Sequence, residues 1–320
     1  MPGSFCVHIL GCGSAMPTTA RLSAAQILQC GGRLYMIDCG EGAQRQLRFH
    51  KLGFGNLRVI FISHLHGDHC LGLPGLLSTL GLMGYNYCLT IVGPKGIERY
   101  VSFLQETFLT ESLLQIKVVE VDHKVSATIY EDKYIEVLSL PLEHRIETVG
   151  FRFTERVPKR KIDPIAVQEA SIPYAYYRLL QEGNDYIAPD GRYYANEQLT
   201  VQGRKPRSYA YCSDTVFLPH LAPLIADSTL LYHEATYGEE FAHRLRETGH
   251  SSATQAAQMA LLAEVGKLVI GHYSSRYKNT DVLLEEAQRV FPQTIAAQDG
   301  LVISIDSSDP LQIDTQQLSF

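Results

Sequence analysis

The stretch FISHLHGDHCLG, residues 61–72, packs His64, His66, Asp68 and His69 into six consecutive positions directly after an apolar run. Histidine binds a divalent metal through a neutral ring nitrogen, and aspartate through an anionic oxygen. Such N/O donor sets suit zinc, manganese, iron or nickel better than a thiolate-seeking ion. Six residues are too few to wrap one ion with all four side chains. On an extended loop His64 and His66 can face one way while Asp68 and His69 turn toward a neighbour, which gives two half-built sites. A single loop histidine would carry no such reading. The histidines at 8, 50, 123, 220 and 243 have no comparable context and receive no role.

Moving outward, four runs of apolar or β-branched residues each end at a candidate ligand: 58–63 at His64, 135–140 before His144, 207–212 before Asp214, and 267–270 before His272. Runs of this length bounded by Gly, Pro and Ser read as buried or half-buried strands. Four strands delivering His or Asp at their C-terminal ends imply one shared sheet edge, where His144, Asp214 and His272 complete the two half-sites. Two metals roughly 3.5–4 Å apart would clamp a displacement at phosphorus or at a carbonyl. Helices are expected between the strands. Pro74 opens an apolar stretch to residue 82, and Ser252 with Gln255 has capping-box spacing ahead of an Ala-rich run to residue 263. Strands alternating with helices predict an α/β layered domain.

The 320 residues are 45% hydrophobic and 19% charged, which suits one large domain or two small ones. Seven scattered cysteines without a CxxC pair fit reduced thiols better than a disulfide framework. The opening MPGSFCVHILGCGSA lacks a signal-peptide pattern. No apolar run approaches the roughly 20 residues of a membrane span. A cytoplasmic protein without a membrane partner is expected. The net charge of −6 argues weakly against a polyanionic partner, yet residues 152–207 carry +3 and the remainder −9. Residues 155–206 also break the pattern. They show little periodicity, several prolines, turn signals at 182–184 and 189–191, and tyrosines at 174, 176, 177, 186, 193 and 194. A stretch of this kind inside a compact domain is usually functional, and it reads as a projecting insertion.

HLHGDH resembles the signature of the metallo-β-lactamase superfamily. Further matches narrow the resemblance to the ribonuclease Z family: LGCGSAMPT near the N-terminus, Asp38-Cys39-Gly40-Glu41-Gly42, Pro141-Leu142-Glu143-His144, Ser213-Asp214-Thr215, His233-Glu234-Ala235-Thr236, Gly249-His250-Ser251-Ser252 and Gly271-His272-Tyr273-Ser274-Ser275-Arg276-Tyr277. They span nearly the whole chain in family order. The resemblance implies a single domain over residues 1–320, a four-layer αβ/βα sandwich with an inserted flexible arm at about 155–206. It also implies two zinc ions per subunit (Mn2+ or another divalent ion being the alternative), a homodimer, and precursor tRNA as substrate. By motif, His64, His66 and His144 would hold one zinc, and Asp68, His69 and His272 the other, with Asp214 bridging. Asp68 would orient or deprotonate the attacking water. His250, backed by Glu234, would protonate the departing 3′ oxygen, leaving a tRNA 3′-hydroxyl and a trailer 5′-phosphate. His233 would support the site rather than ligate. Candidate substrate contacts are Arg21, Ser251, and Lys159, Arg160 and Lys161 on the arm. The rival readings are another hydrolase of this fold, acting on small phosphodiesters, sulfates, lactones or thioesters, and a non-catalytic RNA-binding homologue.

His250 also has a footing independent of the family. It lies just ahead of a helix N-terminus, where free N–H groups attract phosphate. The same positive end disfavours imidazolium, so a general acid there needs an anionic neighbour. The chain departs from the family in three places. The Pro-x-Lys-x-Arg-Asn loop that helps position the tRNA 3′ end and discriminate against CCA reads Pro17-Thr18-Thr19-Ala20-Arg21-Leu22, keeping only the Arg. Ser213 replaces a common Gly, and the arm's Gly-x-Pro is Ser171-Ile172-Pro173.

Overall fold

In the computed structural model the described residues are 5–156, 160–305 and 312–315, the last four by backbone alone. Two compact units emerge: Met1–Thr154 together with Arg207–Phe320, and Glu155–Pro206.

The larger unit holds two sheets. One runs, edge to edge, Gln312–Thr315, Leu301–Ser304, Phe5–Gly11, Ala25–Cys30, Arg33–Cys39, Leu57–Phe61, Leu89–Pro94 and Ile116–Val121. The other runs Thr294–Ala296, Leu268–Gly271, Leu230–Glu234, Ser208–Cys212, Thr148–Glu155, Ile135–Leu142 and Thr128–Glu131. Leu57–Phe61 shows why the strands are so apolar. Side chains alternate across a strand, and here both faces are covered. Val59 and Phe61 join the core that contains Phe151 and Phe153 of the other sheet. Leu57 and Ile60 join a second core with the helices Ala43–Phe49, Leu73–Leu82 and Ile97–Phe108. The Phe61 ring lies 5.3 Å from Phe151 and 5.2 Å from Phe153, so one residue seams the two sheets.

The helices follow their sequence signals. Leu73–Leu82 carries Pro74 in its first turn and buries Leu73, Leu76, Leu77 and Leu80, a stripe at helical spacing. Ala253–Leu262 starts from Ser252. Its Oγ accepts from Gln255 N–H at 3.1 Å, while Gln255 Oε1 accepts from Ser252 N–H at 3.1 Å. Two sheets flanked by helices make the α/β sandwich that the resemblance implies. The expectation of one shared sheet edge is corrected. Leu57–Phe61 belongs to the eight-stranded sheet, whereas the strands before His144, Asp214 and His272 belong to the seven-stranded one. Their C-terminal ends still meet, because the loops cross from both sheets to one rim. Among the described residues no helix is long and apolar enough to cross a membrane.

The smaller unit is more ordered than its sequence reads. Arg160–Ile162 pairs with Thr200–Gln202, and Tyr186–Ile187 with Tyr193–Tyr194. Asp163 caps the helix Pro164–Glu169, accepting from Ile165 N–H at 3.0 Å and Ala166 N–H at 3.1 Å. Val167, Ile172, Leu180, Tyr186 and Leu199 form its core, with Tyr177 and Tyr194 packed against it. Elements this short leave no periodic trace. The tyrosines divide, since Tyr174 and Tyr193 remain 84% and 60% exposed.

Candidate metal centre

Beyond Phe61 the chain leaves the sheet and is pinned by Asp38, which is fully buried at the end of Arg33–Cys39. Asp38 Oδ1 accepts from Ser63 N–H at 2.7 Å, and Oδ2 from Ser63 Oγ at 2.8 Å and Tyr211 OH at 2.7 Å. His66 then stands at the N-terminal boundary of the helical turn Gly67–Cys70, which carries Asp68 and His69 and brings the His69 ring to 4.0 Å from that of His64. The result is three overlapping groups of potential ligands, one of them Asp214, His250 and His272. His64, His66, His144 and Asp214 offer atoms within 4.8 Å of one another, as do Asp68, His69 and His272.

Asp214 joins the groups. Its Oδ2 lies 3.6 Å from His64 Nε2 and 3.8 Å from His144 Nε2. Its Oδ1 lies 3.5 Å from His69 Nε2 and 3.2 Å from His272 Nε2. Asp68 Oδ2 is 3.5 Å from both His69 Nε2 and His272 Nε2, and it accepts from Ala15 N–H at 2.7 Å. The rings are anchored by their outer nitrogens. His64 Nδ1 meets Ser63 Oγ at 3.0 Å, His144 Nδ1 the Gly249 carbonyl at 2.8 Å, His69 Nδ1 Asp38 Oδ2 at 2.8 Å, and His272 Nδ1 Thr236 Oγ1 at 3.1 Å. Outer partners of this kind fix the tautomer and aim Nε2 inward, the usual environment of metal-bound histidine.

The donors fit a pair of divalent cations. The Nε2 atoms of His64 and His144 are buried without a hydrogen-bond partner, a costly arrangement that coordination resolves. Burial holds His64, His66 and His144 below their ordinary pKa, hence neutral and ready to ligate. Asp68 and Asp214 stay ionised: burial would raise them, but the surrounding imidazoles hold both well below the usual carboxylate range. Asp68, Asp214 and Glu234 thus crowd one mostly buried locus, where bound cations would balance their charge.

A cleft of about 390 Å³ opens on this cluster, lined among others by Glu41, His66, Asp68, His144, Arg145 and His250. His250 Nδ1 donates to Glu234 Oε1 at 2.9 Å. Burial opposes the charged ring, but the Glu234 carboxylate, helped by Asp214, raises His250 to about 9. The anionic neighbour required by a helix N-terminus is therefore in place. Glu234 is itself held by the N–H groups of Thr215 (3.1 Å), Ser251 (3.0 Å) and Thr236 (3.0 Å), and by the Thr236 hydroxyl at 2.8 Å. His233 is buried and bonds the Glu234 carbonyl at 2.8 Å, outside the ligand groups.

Other candidates lie elsewhere. Ser251 is fully buried, with its hydroxyl donated to the Thr215 carbonyl at 2.7 Å and its N–H to Glu234, which corrects its reading as a substrate contact. Arg21 is not among the residues lining the cleft; its guanidinium donates to the Tyr277 carbonyl. In the smaller unit Arg160 bonds Thr200, Lys161 is exposed, and Lys159 lies outside the described residues. Sequence reasoning missed Asp38, Ser63 and Thr236 as organisers of the site. The signals were present in the Asp38-Cys39-Gly40-Glu41-Gly42 and His233-Glu234-Ala235-Thr236 motifs.

Comparison with known proteins adds four findings. A family profile described as Anti-Pycsar protein Apyc1 matches residues 5–92. Ribonuclease Z of Porphyromonas gingivalis (strain W83) is 51% identical over 302 residues, covering 94% of this chain and 99% of the relative. Among solved structures, human tRNase Z, short form, superposes with a TM-score of 0.69 at 27% identity, covering 94% of this chain and 99% of its own. The metallo-β-lactamase fold protein YhfI from Bacillus subtilis gives 0.67 at 18% identity, covering 94% and 99%, a likeness of fold alone.

Proposed function

The chain belongs to the ribonuclease Z family of tRNA 3′-processing endoribonucleases, and we propose that it removes the 3′ trailer of precursor tRNA with two zinc ions (Mn2+ or another divalent ion serving in their place). The observation that carries this is Asp214, whose two oxygens face separate imidazole groups. His64, His66 and His144 would hold one ion and Asp68, His69 and His272 the other. Such a pair, when bound, makes water a nucleophile at neutral pH and offsets charge on the phosphoryl oxygens. Asp68 would orient the attacking water and accept its proton. His250, kept protonated by Glu234, would pass a proton to the departing 3′ oxygen. The P–O3′ bond breaks, leaving a tRNA 3′-hydroxyl and a trailer 5′-phosphate.

Cations for an RNA backbone stand near the cleft. Arg145 lines it, and Arg45 and Arg48 line an adjoining groove of about 420 Å³ that shares Glu41 and Leu71 with it. Residues 155–206 are proposed as an arm that meets tRNA through Lys159, Arg160 and Lys161 and the exposed rings of Tyr174 and Tyr193. A homodimer is proposed to cover some of the exposed apolar side chains, Leu82, Met83, Phe103, Phe108 and Leu113 among them, and sedimentation should then show a Leu82→Glu variant as monomer. Seven scattered cysteines, read as reduced, fit a cytoplasmic setting.

The direct test is cleavage of end-labelled precursor tRNAs, with and without encoded CCA, with the product ends mapped to the nucleotide. His66→Ala should lose metal and activity together, and an unchanged cleavage rate defeats the enzyme reading. Deleting residues 156–205 should abolish trailer removal while hydrolysis of bis(p-nitrophenyl) phosphate survives. Equal effects on both substrates count against the arm and favour a small-substrate hydrolase.

A further inference from the structure

Asp68 is steadied by a backbone group from far along the chain, since its Oδ2 accepts from Ala15 N–H at 2.7 Å. Ala15 sits near the tip of the loop formed by residues 12–22, in the left-handed region at φ 59°. The tip has almost no packing of its own, because residues 15–17, 19 and 20 are exposed. Its position is therefore set at the neck, and the neck closes on Asp299. Asp299 Oδ1 accepts from Cys12 N–H at 3.1 Å and Cys12 Sγ at 3.3 Å, and Oδ2 accepts from Leu22 N–H at 2.7 Å. Gly13 N–H donates to the Leu22 carbonyl at 2.8 Å within the same pinch. A second rail ties the loop to the residue after His272: Tyr273 N–H donates to the Cys12 carbonyl at 3.1 Å, and Ser14 N–H to the Tyr273 carbonyl at 3.0 Å.

Asp299 touches no potential ligand and takes no part in the chemistry above, yet it fixes both ends of the loop that orients Asp68. We propose that Asp299 is a positioning residue for hydrolysis. By clamping Cys12 to Leu22 it holds Ala15 N–H on the Asp68 carboxylate, and so sets the direction in which Asp68 presents the attacking water. This rests on the reading that Asp68 handles that water.

Asp299→Asn tests the idea with little change in volume. The amide places a donor where one acceptor oxygen stood, facing the N–H of Leu22 or Cys12. With the zinc-loaded full chain, kcat on both bis(p-nitrophenyl) phosphate and precursor tRNA should fall on the order of 10-fold, the scale of a small misplacement. KM and bound zinc should stay within about 2-fold of wild type, as expected when a transition-state interaction alone is weakened. Replacing the Ala15 peptide N–H with an ester oxygen, by incorporating the matching α-hydroxy acid at position 15, removes the donor at the other end of the same path and leaves the left-handed φ of 59° accessible, which proline would not. Its loss should resemble that of Asp299→Asn, and the two losses should not multiply in the double variant. Asp299→Ser is read in the same way if the amide variant does not fold. A wild-type kcat in a folded Asp299 variant, losses that multiply, or zinc content that falls in step with kcat would each overturn the assignment. If the wild-type protein cleaves neither substrate, the fault lies with the proposed function instead.

Discussion

Glu234 receives three backbone N–H groups and the Thr236 hydroxyl before it meets His250. It is a fixed negative charge rather than a mobile base. In the proposed role of general acid His250 would act only while protonated, so activity should fade as pH rises through its pKa. Removing the carboxylate takes away the main influence that raises His250 toward 9. Glu234→Gln should therefore lower kcat by about 10²–10⁴, the range for a positioned acid, and move the alkaline limb of the kcat profile to lower pH. An unmoved limb would separate Glu234 from the proton transfer. Asp132 makes a matching statement about stability. It gathers Arg33 at 2.6 Å, Tyr35 OH at 2.7 Å and the N–H groups of Tyr134 (2.7 Å) and Ile135 (3.0 Å). Burial would raise its pKa, but these donors hold it below the ordinary value. The stabilisation is thus complete above the unfolded pKa of about 4 and is lost as pH falls through the lower folded value. Asp132→Asn should cost about 1–3 kcal/mol at pH 7, and urea unfolding at pH 3 should show that deficit shrinking.

At the scale of elements, the strand Leu57–Phe61 leads into the loop of potential ligands, and Phe61 joins the two sheets that share them. Phe61→Ala should destabilise by about 3–5 kcal/mol in denaturant titration, and a cost below about 1 kcal/mol would show that the seam lies elsewhere. This strand was readable because it is a contiguous apolar run, and the gathering of His64, His66, Asp68 and His69 because six residues contain them. The sheet to which each strand belongs was not readable, since pairing such as Tyr211 with Tyr232 links distant residues that share no local pattern. Ser251 was misread for a related reason. A residue at a helix start can present its groups outward or spend them inward, and only the Thr215 carbonyl and Glu234 carboxylate decide. Asp38 escaped notice because an organiser carries no ligand spacing. Its φ of 55° and that of His272, 59°, place both in a region costly for residues with side chains. The surrounding hydrogen bonds hold these two backbones in place at the site.

For the whole molecule, the potential ligands come from both halves: His64, His66, Asp68 and His69 follow a strand of one sheet, while His144, Asp214 and His272 follow strands of the other. Ions bound there would act as a rivet through the sandwich, gripping only the folded chain. By mass action each site filled at 1,000 times its Kd adds about 4 kcal/mol. Stripping metal with a chelator should then lower Tm on the order of 10 °C, and returning zinc should restore it. Equal melting with and without metal would mean that the rim is rigid before loading. If the rivet holds, scarcity of metal in the surroundings would become a loss of folded protein as well as a loss of turnover, and proteases would compete with zinc for the same chains.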